Sequence, residues 1–259
     1  MKKTVTVMLA VAFGAFIAQA QTTSDNVVGY SKVSTPAPGG FSIVNIAAFS
    51  SADSVALQDA VQNESELNAS AIWDNADKII VWNGSGYSTY GLYDSGSDTF
   101  WMAAGIGWSV PMFASAANVT ISRGSAVWIQ TASSGSASEA IVAGEVYDDS
   151  SYGVSVVTGF SMVAFPFTSA VNLNALTVDG ATASAIWDNA DKIIVWNGSG
   201  YSTYGYYAGG SGNFWMAAGI GWSVPMFASP ADATLSLGSG FWYESDSNKT
   251  ITFTSNYSL

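Results

Sequence analysis

Ala69 to Gly91 reads ASAIWDNADKIIVWNGSGYSTYG, and Ala183 to Gly205 repeats it without one change. Lys78-Ile79-Ile80-Val81-Trp82 is an apolar, β-branched run. Such residues favour a pleated, half-buried surface over a helix. Asn83-Gly84-Ser85-Gly86 follows as turn chemistry, and Tyr87 to Tyr93 returns as a second strand. The stretch predicts a β-hairpin, present twice.

Outward from the hairpin, the duplication continues. Phe100 to Ser115, FWMAAGIGWSVPMFAS, recurs as Phe214 to Ser229 at the same offset of 114 residues. All ten tryptophans pair at that offset: Trp73 with Trp187, Trp82 with Trp196, Trp101 with Trp215, Trp108 with Trp222 and Trp128 with Trp242. Upstream, Gly40-Phe41-Ser42 matches Gly159-Phe160-Ser161; downstream, Glu139 to Tyr147 has the place of Lys249 to Tyr257. Cores accept volume-conserving changes for about 1 kcal/mol, so packing alone does not demand this identity. Recent duplication or gene conversion explains it. The differences are more informative. Leu92 to Thr99 against Tyr206 to Asn213 is the most altered stretch, with Asp94 replaced by Ala208 and Asp98 by Gly212.

These patterns predict an all-β chain of two tandem, near-identical antiparallel modules, sandwich- or barrel-like and related by a pseudo-two-fold. The divisions expected are 1–20, a signal peptide, 21–147, the first repeat, and 148–259, the second. Asn118 to Ser122 and Ala126 to Gln130 read as strand–turn–strand around Arg123-Gly124-Ser125. Asp53 to Val61 and Asn172 to Leu176 read as short helices. No linker separates the copies, so the modules are expected to abut.

The N-terminus explains the separate first segment. Lys2 and Lys3 precede a mostly apolar run from Val5 to Ile17, and Ala18-Gln19-Ala20 is a small-x-small cleavage signal. Cleavage is expected before Gln21, which places the mature protein outside the cytoplasm. The chain carries 7 basic and 19 acidic residues. Loss of Lys2 and Lys3 leaves 5 against 19, a surface that repels nucleic acid and anionic lipid. Cysteine is absent, so no disulfide supports the fold and the core must suffice.

The order of phrases resembles a β-rich repeat module of large secreted proteins in environmental Gram-negative bacteria. Its pattern is roughly G-W/F-N/S-L-I-x-N-P, then V-Y-x-W-D/N-G-x-G-Y, then P-G-x-G-F-F-V. Here it reads Gly40 to Ala48, Ile80 to Tyr90 and Gly124 to Ile129, then Gly159 to Phe167, Ile194 to Tyr204 and Gly238 to Tyr243. The chain departs from the x-Asn-Pro ending, where only Pro166 is kept. The resemblance implies a β fold and an exported setting. It implies no catalytic residues.

Composition closes several chemistries. Without histidine or cysteine there is no Ser-His-Asp triad, no thiolate nucleophile and no imidazole or thiolate metal site. The glutamates Glu64, Glu66, Glu139, Glu145 and Glu244 do not recur at the repeat offset, so a glycosidase-type carboxylate pair in each copy is unsupported. Asp74 and Asp77, matched by Asp188 and Asp191, leave two readings open: oxygen ligands for calcium, or an Asx-type turn with Lys78 or Lys192 beside it. The turn is preferred, because calcium needs more oxygens than the segment offers. Aromatic rings suggest another activity, since exposed Trp and Tyr stack on sugar rings. Tyr90, Trp101, Trp108, Tyr204, Trp215 and Trp222 are the candidate ligand-binding residues. Core packing is the competing role for each, because a buried large side chain contributes roughly 2–3 kcal/mol.

The expectation is a non-enzymatic, secreted structural or cell-surface interaction protein without cofactor or metal. Its partners would be polysaccharide or other surface proteins, never nucleic acid. Carbohydrate binding through exposed aromatics is the alternative. An outer-membrane barrel, suggested by alternation in Thr250 to Leu259, and a carboxylate-based glycoside hydrolase rank below it.

Overall fold

A computed structural model describes residues 28–49, 53–137 and 139–257. The expected signal peptide, residues 1–20, lies outside them. The architecture is all-β, built from several antiparallel sheets, none of which closes into a barrel. Among the described residues no helix is long and apolar enough to cross a membrane.

Two five-stranded sheets dominate. In the first, the order is Phe41–Val44, Val127–Gln130, Lys78–Trp82, Tyr87–Asp94, Thr99–Ala103. In the second it is Gly159–Ala164, Gly240–Ser245, Lys192–Trp196, Tyr201–Gly209, Gly212–Ala217. The expected hairpin forms in both, with Trp82 opposite Tyr87 and Trp196 opposite Tyr201. Its turn is made by the asparagine: Asn83 Oδ1 accepts from the amides of Ser85 (3.0 Å) and Gly86 (2.8 Å), and Gly84 supplies φ +94°. Asn197 repeats the arrangement. A flanking ladder accompanies each sheet, Val28–Ser34 with Glu139–Glu145 and Ser151–Val156 with Lys249–Thr254.

Successive strand residues point to opposite faces. One face of the first sheet sends Ile79, Leu92, Trp101, Val127 and Ile129 into a core closed by Ala140 and Val142 of the ladder. The second sheet sends Ile193, Trp215, Phe241 and Tyr243 into an equivalent core with Ile251 and Phe253. The opposite faces meet in a third, smaller cluster of Ile43, Ala126, Met162 and Ala164, against which Trp82, Trp128, Trp196 and Trp242 pack.

The repeats also interlock through one turn each. Ser125 bridges to Val163 and Val44 to Ser239. The amide of Ala164 donates to the Gly124 carbonyl (2.8 Å), and that of Asn45 to the Gly238 carbonyl (2.8 Å). Arg123 enters the second repeat, its guanidinium 4.2 Å from the Tyr152 ring and its Nε donating to the Pro166 carbonyl at 2.9 Å. Leu237, at the same position of the other copy, packs on the first repeat's core.

The expected strand–turn–strand forms around Arg123-Gly124-Ser125, as Thr120–Ser122 and Val127–Gln130, although the two strands do not pair with each other. The first pairs with Ser54–Ala56, the second with Phe41–Val44 and Lys78–Trp82. The turn between them is occupied across the junction instead. Asp53 to Val61 is not a helix but the strand Ser54–Ala56 and a single 3-10 turn, Leu57–Asp59. Pairing with Thr120–Ser122 extends the backbone there and buries Leu57 completely. Likewise, Asn172 to Leu176 begins in the strand Val171–Asn172.

Candidate functional site

The hairpin tips decide where the aromatic rings go. Lys78, Ile80 and Trp82 alternate away from the first core, and register places Thr89 beside Ile80 and Tyr87 beside Trp82. Trp128 lies on the other side of Ile80. The result is a stripe of Trp82, Tyr87, Ile80, Thr89 and Trp128 on one face of the sheet. Trp196, Tyr201, Ile194, Thr203 and Trp242 make the same stripe on the second sheet.

The stripes engage reciprocally. Trp82 Nε1 donates to the carbonyl of Phe160 at 3.0 Å, and Trp196 Nε1 to that of Phe41 at 2.9 Å. The Trp82 ring meets Trp242 edge-on at 5.8 Å, and Trp196 meets Trp128 at 6.0 Å. Phe41 and Phe160 pack edge-on against Trp128 and Trp242. Edge-to-face pairs are favoured by the ring quadrupole.

Between these contacts the surface opens into two lobes. One, of about 470 Å³, is lined by Phe41, Ile80, Thr89, Trp128 and Trp196. The other, of about 460 Å³, is lined by Phe160, Ile194, Thr203, Trp242 and Trp82. Tyr87 and Tyr201 line both. Each lobe falls in the size range of small-molecule sites, which is 300–1,000 Å³. Tyr87 and Tyr201 are 54% and 52% exposed, so their rings are available. Among the described residues no charged one lines either lobe; the polar groups include the hydroxyls of Thr89, Thr203 and the two tyrosines. Burial lifts the Tyr87 phenol above its ordinary value, opposed by the Trp128 indole and reinforced by Tyr201.

None of the six residues singled out from sequence lines this cleft. Trp101 and Trp215 are fully buried core residues with no face free for stacking. Tyr90 and Tyr204 pack on the same private cores, because Tyr90 is opposite Ile79 and so faces away from Trp82. Trp108 and Trp222 are half-buried packing residues: each donates Nε1 to a backbone carbonyl, Ala103 (3.1 Å) and Ala217 (3.2 Å). Each also lies over a glycine. A Cβ on Gly91 would come within 2.7 Å of the Trp108 ring, and one on Gly205 within 2.6 Å of Trp222. The residues that do line the cleft share a period of two on their strands, but alternate positions such as Ile79 and Val81 are apolar as well, so the sequence does not single them out.

The repeated aspartates have structural duties. Asp77, fully buried, accepts from the amides of Asn68 (3.0 Å) and Ala132 (2.7 Å). Asp191 accepts from the Thr182 amide (2.9 Å) and the Tyr243 hydroxyl (2.7 Å), and pairs with Lys249 at 2.7 Å. Burial together with the Asp191 charge pushes the Tyr243 phenol strongly upward. Asp74 and Asp188 are exposed. Among the described residues no group of three or more acidic side chains is placed to hold a metal ion.

No family model matches the chain, no curated protein matches it, and no solved structure matches it.

Proposed function

We propose that this chain is a non-enzymatic, exported binding protein whose two repeats, related by a pseudo-two-fold, close around the aromatic cleft to hold an uncharged carbohydrate. The carrying observation is the cleft itself: aromatic rings from both repeats, hydroxyls beside them, and no charge in the lining. Sugars present apolar C–H faces ringed by hydroxyls, which is the complement of such a surface. The reciprocal bonds of Trp82 and Trp196 support the pseudo-two-fold. A binding role is favoured over hydrolysis because no carboxylate lines the lobes, and Glu139 and Glu244 are held by Lys32 (2.6 Å) and Lys192 (3.2 Å). Export rests on the order of charge, apolar run and cleavage site, and mass spectrometry of the native protein should find Gln21 at its N-terminus.

Affinity electrophoresis tests the binding role. Gels containing neutral polysaccharides should retard the protein, gels containing anionic ones should not, and Tyr87→Ala with Tyr201→Ala should abolish the retardation. A folded wild-type protein that no neutral polysaccharide retards would sink the proposal.

A second reading, assembly with other surface proteins, is favoured by a different feature. Ile106, Met112 and Phe113 are exposed together on consecutive 3-10 turns, and Ile220, Met226 and Phe227 repeat them. Clustered exposed apolar side chains mark contact surfaces. Met112→Ser with Met226→Ser should reduce self-association in sedimentation experiments if this surface serves that role.

A further inference from the structure

From the shared lining of the two lobes we infer that they form one bipartite site for a single β-1,4-linked glucan chain, which crosses both lobes and enters in either direction. This inference rests on the carbohydrate reading above and deepens it.

The first observation is sharing. Tyr87 and Tyr201 belong to both lobes, so the lobes are contiguous across this tyrosine pair rather than two remote sites. The second is equivalence. Phe41 and Phe160, Ile80 and Ile194, Thr89 and Thr203, Trp128 and Trp242, Trp196 and Trp82 are matched positions of the two repeats, and the volumes differ by little. A glucan has a direction, which exchange of the repeats reverses between the lobes, but its C–H faces offer stacking rings much the same surface in either sense, so repeated units can serve both subsites. Because the subsites are matched by exchange of the repeats, a chain entering from either end meets the same surface.

The third observation selects the sugar. Rings reach each lobe from both sheets, Phe41 and Trp128 from one and Trp196 from the other. A bound unit therefore meets rings of both repeats. In a β-1,4-glucan every ring substituent is equatorial, so both ring faces carry only axial C–H and the chain is a flat ribbon. An α-1,4-glucan coils and turns its polar edge outward. The uncharged lining and the acidic chain as a whole both disfavour uronic acids and sulfated chains.

Calorimetry with the full mature chain tests this. Cellohexaose should bind one per chain, at least tenfold tighter than cellobiose, which should bind two per chain. Maltohexaose should bind at least tenfold more weakly than cellohexaose. Tyr87→Ala alone should weaken cellohexaose tenfold or more, and Tyr87→Phe should weaken it less, with unchanged thermal midpoints showing that both variants fold. Cellohexaose carrying a nitroxide at its reducing end should broaden the amide signals of Thr89 and Thr203 alike. Two cellohexaose chains per protein, equal binding of maltohexaose, or broadening at one threonine only would each overturn the inference while leaving the carbohydrate reading intact. Binding of a proline-rich peptide in the cleft, with no neutral glycan bound, would overturn both.

Discussion

Ala126 and Gly240 hold the same position in their repeats and meet across the junction: a Cβ built on Gly240 would lie 2.3 Å from that of Ala126. The same Cβ would lie 2.7 Å from Ile43 Cγ2. One copy has the methyl group, the other leaves room for it. Gly240→Ala should therefore destabilise the protein by about 1–3 kcal/mol through overpacking. Adding Ala126→Gly should recover part of the loss, leaving the clash with Ile43. Chemical denaturation of the two variants would show this. Equal stability of Gly240→Ala and wild type would mean that the junction is not closely packed.

Arg123 and Leu237 make a second complementary pair. The Arg123 guanidinium is buried between Tyr147, 3.3 Å from its ring centre, and Tyr152, and donates to Asp149 at 2.6 Å. Asp149 is half-exposed, so truncating the arginine strands no buried carboxylate. The loss is mainly the cation–π contact and packing, about 2 kcal/mol for Arg123→Ala. Arg123→Leu, which copies the other repeat, should lose less than half of that. A thermal scan of the two variants ranks them. Should Arg123→Leu be the worse, the apolar surroundings of the site have been misjudged.

Lys78 and Lys192 show what one substitution between copies does to a charge. Lys192 stands opposite Glu244 and pairs with it, whereas Lys78 stands opposite Gln130. Both are buried, beneath Trp187 and Trp73 respectively. Burial holds Lys78 below the ordinary lysine value, and Asp74 and Asp77 only partly offset this. The charged form is thus penalised in the folded state, and stability should rise as pH climbs from the lowered pKa to about 10.5. Gln130→Glu should supply the missing partner, stabilise the protein at pH 7 by about 1 kcal/mol, and abolish that rise. Urea melts at pH 7 and pH 10 compare the two proteins.

Glu64 gives the opposite dependence. Burial raises its pKa above 4.5, and its Oε1 is buried without a hydrogen-bond partner. The folded state keeps the proton longer than the unfolded chain does. Stability is therefore fully present below about pH 4.5 and is lost as pH rises through the raised value. Glu64→Gln should remove this loss and stabilise the protein at pH 7 by about 1 kcal/mol. A variant that melts at the same temperature as wild type at both pH 4 and pH 7 would contradict it.

Much of the fold was legible along the chain. The hairpin from Lys78, the Asn83 turn, the duplication and the equivalent places of Glu139–Glu145 and Lys249–Thr254 all follow from local sequence and offset. Matched tryptophans do have matched burial, as Trp82 with Trp196 and Trp101 with Trp215. The cleft was not legible, for a specific reason. Ile79, Ile80, Val81 and Trp82 are apolar on both faces of the strand, since one face buries a private core and the other meets the second repeat. Without a polar face, alternation does not say which way Trp82 or Tyr90 points. Nor did local sequence show that Arg123-Gly124-Ser125 turns into another repeat, because the pairing of Thr120–Ser122 with Ser54–Ala56 spans more than sixty positions of chain. The aspartates were not legible either: an Asx-type turn was expected, but Asp77 accepts from the amides of Asn68 and Ala132, nine and fifty-five positions away, and so ties distant segments together.

Each lobe of the cleft is a mosaic of both gene copies. Trp196 and Tyr201 complete the lobe built on the first repeat, and Trp82 and Tyr87 complete the other. A mutation at Phe41, Ile80, Thr89 or Trp128 touches one lobe alone, but the two tyrosines leave no such spare. A change at Tyr87 or Tyr201 reaches both lobes at once. Duplicated genes usually drift because one copy can fail while the other carries on. Here the two tyrosines are common to both lobes, so redundancy gives those positions no shelter and binds the two halves to a common evolutionary fate there.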